Sequence, residues 1–269
     1  MIVRLVSLNI WDLPIPLPWN ERKRRLSHLL DGLPAIDTDV VLFQEAFRPD
    51  FKSQLAAALP GFHADALAPQ RRRRCWIELD GSGGLLTLSR WPITASVFRA
   101  SRTTPGMRLD ERIGRKGCLW TEITTPAGPI VVGNVHLYAG NAPRDARVRA
   151  VQVRQILNAP QLRMPGPIVL AGDFNMAVEF ERRTGGRTGF DLLAAAGFHE
   201  IAGGKTGTLF TMSPRHNRYA GRIQRFRHDR RLTQVFFRGM RPGPESPRLC
   251  FLDPPVSDHY GLRVALAHQ

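Results

Sequence analysis

Residues 168–176 read Ile-Val-Leu-Ala-Gly-Asp-Phe-Asn-Met. Four apolar residues in a row make a buried strand, and Gly172 breaks the run just before Asp173 and Asn175. A strand that ends on a carboxylate and an amide delivers both to a strand terminus, where α/β proteins commonly build their sites. The pattern recurs along the chain. Residues 3–8 lead into Asn9, 39–44 (DVVLFQ) into Glu45, and 130–135 (IVVGNV) into His136. Asp258 and His259 immediately precede the last apolar segment, 261–267. Alone, each would read as a turn former or a hydrogen-bonded histidine. Seven such groups beside buried strands form a set.

Outward from these strands, the spacing predicts helices over 20–30 and 49–59, capped by Asn20 and opened by Pro49 respectively. A longer helix is expected over 144–157, with Ala146, Val148, Val151, Val153, Ile156 and Leu157 inward and arginines on the rest. A short one over 190–196 closes at Gly197. Further strands are expected at 85–89, 97–104, 118–123 and 232–238, and loops at 105–114 and 215–231. Several strands follow one another directly, without strict βαβ alternation. That pattern predicts mixed sheets with helices packed outside. No repeat of fixed period and no dividing linker is present, so residues 1–269 are expected to form one domain.

The composition suits a soluble globular chain: of 269 residues, 43% are hydrophobic and 23% charged. No stretch approaches the ~20 apolar residues of a transmembrane helix. No basic segment followed by an apolar core opens the chain, so no secretory signal is expected, and a cytoplasmic monomer is the default reading. Cys75, Cys118 and Cys250 are odd in number and widely spaced, which argues against a disulfide framework or a thiolate zinc site. Cys118 and Cys250 read as core side chains. The net charge of +15 suits an anionic partner: nucleic acid, an acidic membrane or a phosphorylated substrate. With 34 Arg against 4 Lys, it equally suits the codon composition of a GC-rich genome. The run Arg71 to Arg74 reads either as a solvated loop or as a phosphate contact.

Glu45, Asp173 and Asp258 are hard oxygen donors, and Asn9 and Asn175 add neutral ones. This is ligand chemistry for Mg²⁺ or Mn²⁺. His136 and His259 remain for proton transfer or for donation to a phosphate oxygen.

The segments LVSLNIW, LFQEAF, NVHLYAG, GDFNM and SDHYG resemble, in order, the motifs of the endonuclease/exonuclease/phosphatase superfamily, which includes deoxyribonuclease I. They span residues 3–264. Within it, Asn9-Ile-Trp-Asp-Leu-Pro14, Gly81-Ser-Gly-Gly-Leu85, Ser89-Arg-Trp-Pro-Ile93 and His136-Leu-Tyr-Ala139 are most similar to the neutral sphingomyelinase branch. The resemblance implies a four-layer α/β sandwich, two packed mixed sheets flanked by helices, with a site at one edge. It implies Glu45 as the principal Mg²⁺ ligand, helped by Asn9, with Asp258 approaching the same or a second metal. Asp173 would position or deprotonate the attacking water, Asn175 would hold a phosphate oxygen, and His136 would donate to it. His259 would act as base or electrophilic partner. Lys116, in an Arg-Lys-Gly strand entry, would contact the substrate phosphate.

A late Asp that orients the final His is also implied. Asp229 fits one register and Thr233 another; Asp229 is favoured, because a carboxylate holds an imidazolium.

The expected activity is metal-dependent phosphodiester hydrolysis, first on a phospholipid headgroup. Trp11, Leu13, Ile15, Leu17 and Trp19 in a Pro-rich segment, flanked by Arg22 to Arg25, could enter a membrane surface, or the tryptophans could cap the core. A nuclease is the alternative, since arginines could track a nucleic acid backbone. An inositol-phosphate phosphatase and an inactive anion binder are lesser readings.

Overall fold

The apolar runs pair laterally because each buries both faces. A computed structural model describes residues 1–14, 20–65, 72–74, 77–79, 81–104, 107–181, 185–201, 209–224 and 228–269. Its strands are β1 (Ile2–Asp12), β2 (Val40–Ala46), β3 (His63–Ala64), β4 (Arg72–Arg74), β5 (Ile77–Leu79), β6 (Leu86–Ser89), β7 (Ile93–Ala100), β8 (Gly117–Thr125), β9 (Gly128–His136), β10 (Ile168–Asp173), β11 (His199–Glu200), β12 (Thr233–Arg238), β13 (Met240–Pro242), β14 (Arg248–Cys250) and β15 (Gly261–His268). Its helices are α1 (Arg22–Gly32), α2 (Pro49–Ala57), α3 (Leu109–Gly114), α4 (Pro143–Leu157), α5 (Val178–Glu181), α6 (Gly189–Ala195) and α7 (Arg218–Ile223).

A seven-stranded sheet runs β13-β15-β1-β2-β6-β3, with β14 also on β15, and a six-stranded sheet runs β11-β12-β10-β9-β8-β7. Each contains one parallel pair, β1 with β2 and β9 with β10, and is otherwise antiparallel. The inner faces meet in one core: Val3, Leu5, Val40 and Leu42 face Ile130, Val132, Val169, Ala171 and Val235. Outside, α1 and α2 bury Leu26, Leu29, Phe51 and Leu55 on the first sheet. Opposite them, Val153 and Ile156 of α4 and Leu193 of α6 pack on the second. The result is the expected four-layer α/β sandwich.

Three elements differ from the sequence reading. The strand expected at 97–104 lies earlier, as β7. The expected loop at 105–114 contains α3, which carries no core face: Leu109 and Ile113 are exposed. The arginine face of α4 is not all solvated, for Arg149 is fully buried against Glu181 at 2.6 Å. Arg72–Arg74 form a strand paired with β5; Arg71 and Cys75 lie outside the described residues. Cys118 is buried as expected, and Cys250 is half-buried. Among the described residues no helix is long and apolar enough to cross a membrane.

A polar staple crosses the core just beneath the strand ends. Gln44 of β2 donates to Asn134 Oδ1 of β9 at 2.8 Å, and Asn134 Nδ2 donates to the carbonyls of Phe43 and Leu86, each at 3.0 Å. All of it is buried, so its polar atoms must be satisfied internally. It locks the two sheets one step from Glu45 and two from His136.

Candidate active site

The C-terminal ends of the two parallel pairs meet at one edge of the sandwich. β1 brings Asn9, β2 Glu45, β9 His136 and β10 Asp173. The β1–β2 register breaks between Asn9 and Asp12, and Trp11, at φ 51°, folds its N–H back to Asn9 Oδ1 at 3.0 Å. The fixed amide then donates from Nδ2 to Glu45 Oε1 and to Asp173 Oδ2, each at 3.0 Å. One side chain thus ties together a carboxylate from each sheet. Glu45 itself has φ 56°, a left-handed conformation costing roughly 1–3 kcal/mol outside glycine. Gly172 lets β10 close on β9 beside Asp173: a Cβ there would lie 2.0 Å from the Val135 carbonyl oxygen.

His136 Nε2 stands 3.8 Å from Glu45 Oε1 and 3.7 Å from Asp173 Oδ2, and His259 Nε2 stands 3.8 Å from Asp173 Oδ2. These contacts are too long for hydrogen bonds. Both ring nitrogens of His136 and Nδ1 of His259 are buried without a partner among the described residues. Buried, unsatisfied nitrogens facing two carboxylates mark a place where another polar group belongs.

Burial, and then the charge of Asp258, push the Glu45 carboxyl up to about 7. Burial likewise raises Asp258, only partly offset by His259, by the Ser257 hydroxyl that donates to it at 3.0 Å, and by Arg25. Burial acts upward on Asp173 too, but the fields of His259, His136 and Lys116 and the Asn9 bond outweigh it and hold this carboxyl below its ordinary range. Burial, reinforced by Lys116, holds His136 well below its ordinary value, so its imidazole is neutral at pH 7.

Asn175, at φ 51°, donates its N–H to Asp173 Oδ1 and its Nδ2 to the Leu137 carbonyl, both at 3.0 Å. Lys116 Nζ donates to Glu111 Oε1 at 3.0 Å, while its charge reaches Glu45, His136 and Asp173. Glu111 is a participant the sequence reading missed, since it lies in a segment taken as loop; its Oε2 also accepts from the Ala139 N–H at 3.3 Å.

Asp229 is bonded elsewhere than to the final histidine. Asp229 Oδ1 accepts from Ser213 Oγ at 2.9 Å and from the Arg215 N–H at 3.4 Å, and makes no bond to His259. The reason is register: Asp229 precedes the Met212–Arg230 bridge, whereas Thr233 opens β12 directly across the ladder from Asp173. The buried Thr233 hydroxyl has no partner among the described residues.

Of the two readings of the Pro-rich segment, Trp11 fits the one in which it caps the core. Trp11 is a buried strand residue, 5% exposed, with the Arg25 guanidinium 4.7 Å from its ring centre. Buried Arg25 donates to the carbonyls of Asn20, Ile10, Val256 and Trp11 at 2.7–3.1 Å, and Arg22 pairs with Asp12. These arginines hold the end of β1 to α1. Residues 15–19 lie outside the described residues, as do 225–227 of the arginine-rich segment, whose remainder holds α7.

Among the described residues no three His, Cys, Asp or Glu side chains converge into a closed metal cage. Mg²⁺ does not require one, because it keeps several waters and binds through one or two carboxylates. Glu45 and Asp258, whose charged forms are both disfavoured by burial, fit that need. Asn9 fits as the bridge between carboxylates, its oxygen already accepting from Trp11.

Two stacked mixed sheets thus gather acids, amides and histidines at their strand ends. The sequence matches the model of the Endonuclease/Exonuclease/phosphatase family over residues 6–259, and the chain belongs to that family. Its members hydrolyse phosphodiesters, and this chain is an enzyme of that class. A comparison with curated proteins gives no sequence match. Among solved structures, sphingomyelinase C from Streptomyces griseocarneus superposes with a TM-score of 0.71 at 18% identity, covering 100% of both chains. A β-toxin mutant from Staphylococcus aureus with bound magnesium ions gives 0.66 at 18%, again over 100% of both. TDP2 from D. rerio, complexed with a single-strand DNA product, gives 0.70 at 17%, over 98% of each. At these identities the likeness is one of fold.

Proposed function

We propose that the chain is a Mg²⁺-dependent phosphodiesterase that cleaves a phospholipid headgroup in the manner of a sphingomyelinase. The observation that carries the chemistry is the Asn9 bridge between Glu45 and Asp173, with His136 within 3.8 Å of both carboxylates and His259 3.8 Å from Asp173. The lipid reading draws on the sphingomyelinase-like motifs and on the full-length likeness to sphingomyelinase C.

Glu45 and Asp258 would hold Mg²⁺, which when bound supplies positive charge to a phosphoryl oxygen. Asp173 stays ionised at neutral pH and lies at hydrogen-bond reach of Asn9, so it orients or deprotonates the attacking water. Neutral His136 offers an N–H to the phosphoryl oxygens without needing a charge of its own. His259, next to Asp173, passes the proton toward the leaving oxygen. Asn175 and Lys116 frame the phosphate from either side.

The test is release of phosphocholine from sphingomyelin in mixed micelles with added Mg²⁺, with EDTA and Asp173→Ala as blanks. Release confined to the wild type with metal supports the reading; none under any condition overturns it. A nuclease remains the second reading, favoured by the net charge of +15. Plasmid nicking that Asp173→Ala abolishes would establish it in place of the first.

A further inference from the structure

Beside the catalytic cleft, a cavity of about 340 Å³ opens between residues 100–103 and α3. Lys116 belongs to both places. The cavity is also lined by Arg102, Arg112 and Arg115, which have no ion-pair partner among the described residues. Glu111 is its one carboxylate, and that is already bonded to Lys116. At the inner wall lies Gln152, fully buried: its Oε1 accepts from the Tyr138 N–H at 2.9 Å, while its Nε2 has no acceptor. Three uncommitted guanidinium groups and one uncommitted amide donor surround a space that fits a phosphate.

The helix that lines this cavity through Glu111 and Arg112 also carries an exposed apolar pair. Leu109 is 69% exposed and Ile113 38% exposed; they stand four residues apart on α3 and so share a face. They are two of the four large exposed hydrophobics among the described residues. A polynucleotide would use the arginines but has no use for aliphatic side chains, and no aromatic lines the cavity for base stacking. A lipid surface uses both, since basic residues meet anionic headgroups while aliphatic ones enter the acyl boundary.

We propose that α3 and this cavity dock the protein on membranes carrying anionic phospholipids: the cavity holds the phosphate of a non-substrate lipid, and Leu109 and Ile113 enter the bilayer beside it. Docked this way, the protein holds Lys116, shared by the cavity and the catalytic site, beside the lipid headgroups. The inference rests on the lipid reading of the substrate.

Vesicle co-sedimentation in EDTA, where nothing is turned over, separates docking from catalysis. The vesicles are phosphatidylcholine with sphingomyelin, with or without phosphatidylserine. Wild type should bind the anionic vesicles at least tenfold more tightly than the neutral ones. Arg112→Ser and Arg115→Asn should each weaken binding roughly fivefold, as one basic contact with an anionic leaflet is worth. Leu109→Ser with Ile113→Ser should weaken it on either vesicle. All variants should hydrolyse the soluble diester bis(p-nitrophenyl) phosphate at the wild-type rate with Mg²⁺. Equal binding to neutral and anionic vesicles, or unchanged binding by the variants, overturns the proposal. So does single-stranded DNA binding that the arginine variants lose while vesicle binding persists. Docking without sphingomyelin turnover would leave the surface in place and refute only the substrate reading.

Discussion

Glu45 carries a carboxyl whose proton is held by burial. In the metal-free protein its carboxyl is held at about 7, against an ordinary 4.5, so between those values the folded chain binds more protons than the unfolded one. Glu45 therefore withdraws stability as pH rises through that window, the reverse of a salt-bridged acid. The Tm of metal-free protein should fall across it, Glu45→Gln should flatten the fall, and Mg²⁺ should restore the loss by displacing the proton. A fall of the same size in Glu45→Gln would assign the effect to other groups. Thr233 yields a second expectation at this scale. It stands opposite Asp173, whose carboxylate lies 3.8 Å from His259, and His259 Nδ1 has no partner among the described residues. Thr233→Asp should raise kcat on the order of tenfold by orienting that imidazole, whereas Asp229→Asn should leave it unchanged. Steady-state kinetics of the two variants decide between the registers.

The strands were legible because burial on both faces writes an unbroken apolar run, and the acids and amides at their ends follow directly from where each run stops. The same logic failed for arginine, whose letter is identical on a surface and in a core. Arg149 reads as one of the arginines on the side of α4 away from its apolar residues, yet it is 1% exposed and its guanidinium also donates to the carbonyls of Tyr138 and Gly140, in the turn that follows His136. No neighbouring residue in sequence announces this, for Glu181 lies 32 positions away. Removing one member of such a buried pair costs about 3–5 kcal/mol, because the other charge is stranded. Arg149→Met should therefore be less stable in urea than Arg149→Met with Glu181→Leu. Equal stabilities would mean the pair carries no such energy. α3 escaped detection for the opposite reason: its two apolar residues face solvent, so they leave no inward stripe to read.

At the scale of the molecule, the mixed sheets and outer helices were readable from element order, but the relation of one sheet to the other was not. That relation depends on contacts such as Gln44 with Asn134, 90 residues apart, between side chains that carry no signal in either strand. Asn134→Leu removes the donor to the Phe43 and Leu86 carbonyls and the acceptor for Gln44, at a cost of roughly 1–3 kcal/mol for each buried group left unpaired. Its Tm should drop, and kcat should drop with it although Asn134 touches no substrate; an unchanged kcat in a destabilised but folded variant would detach the staple from the site.

Many enzymes hold their chemistry on a surface loop, which can loosen and lose function well before the body of the protein melts. Here the reactive groups straddle a seam. Asn9 belongs to one sheet and grips Asp173 of the other, so the halves of the site are carried on opposite faces of the same core. The pair behaves like a gauge stretched across a joint, whose reading follows how the two sheets are seated on each other. Activity lost on heating should therefore track the melting of the sandwich, seen from its edge.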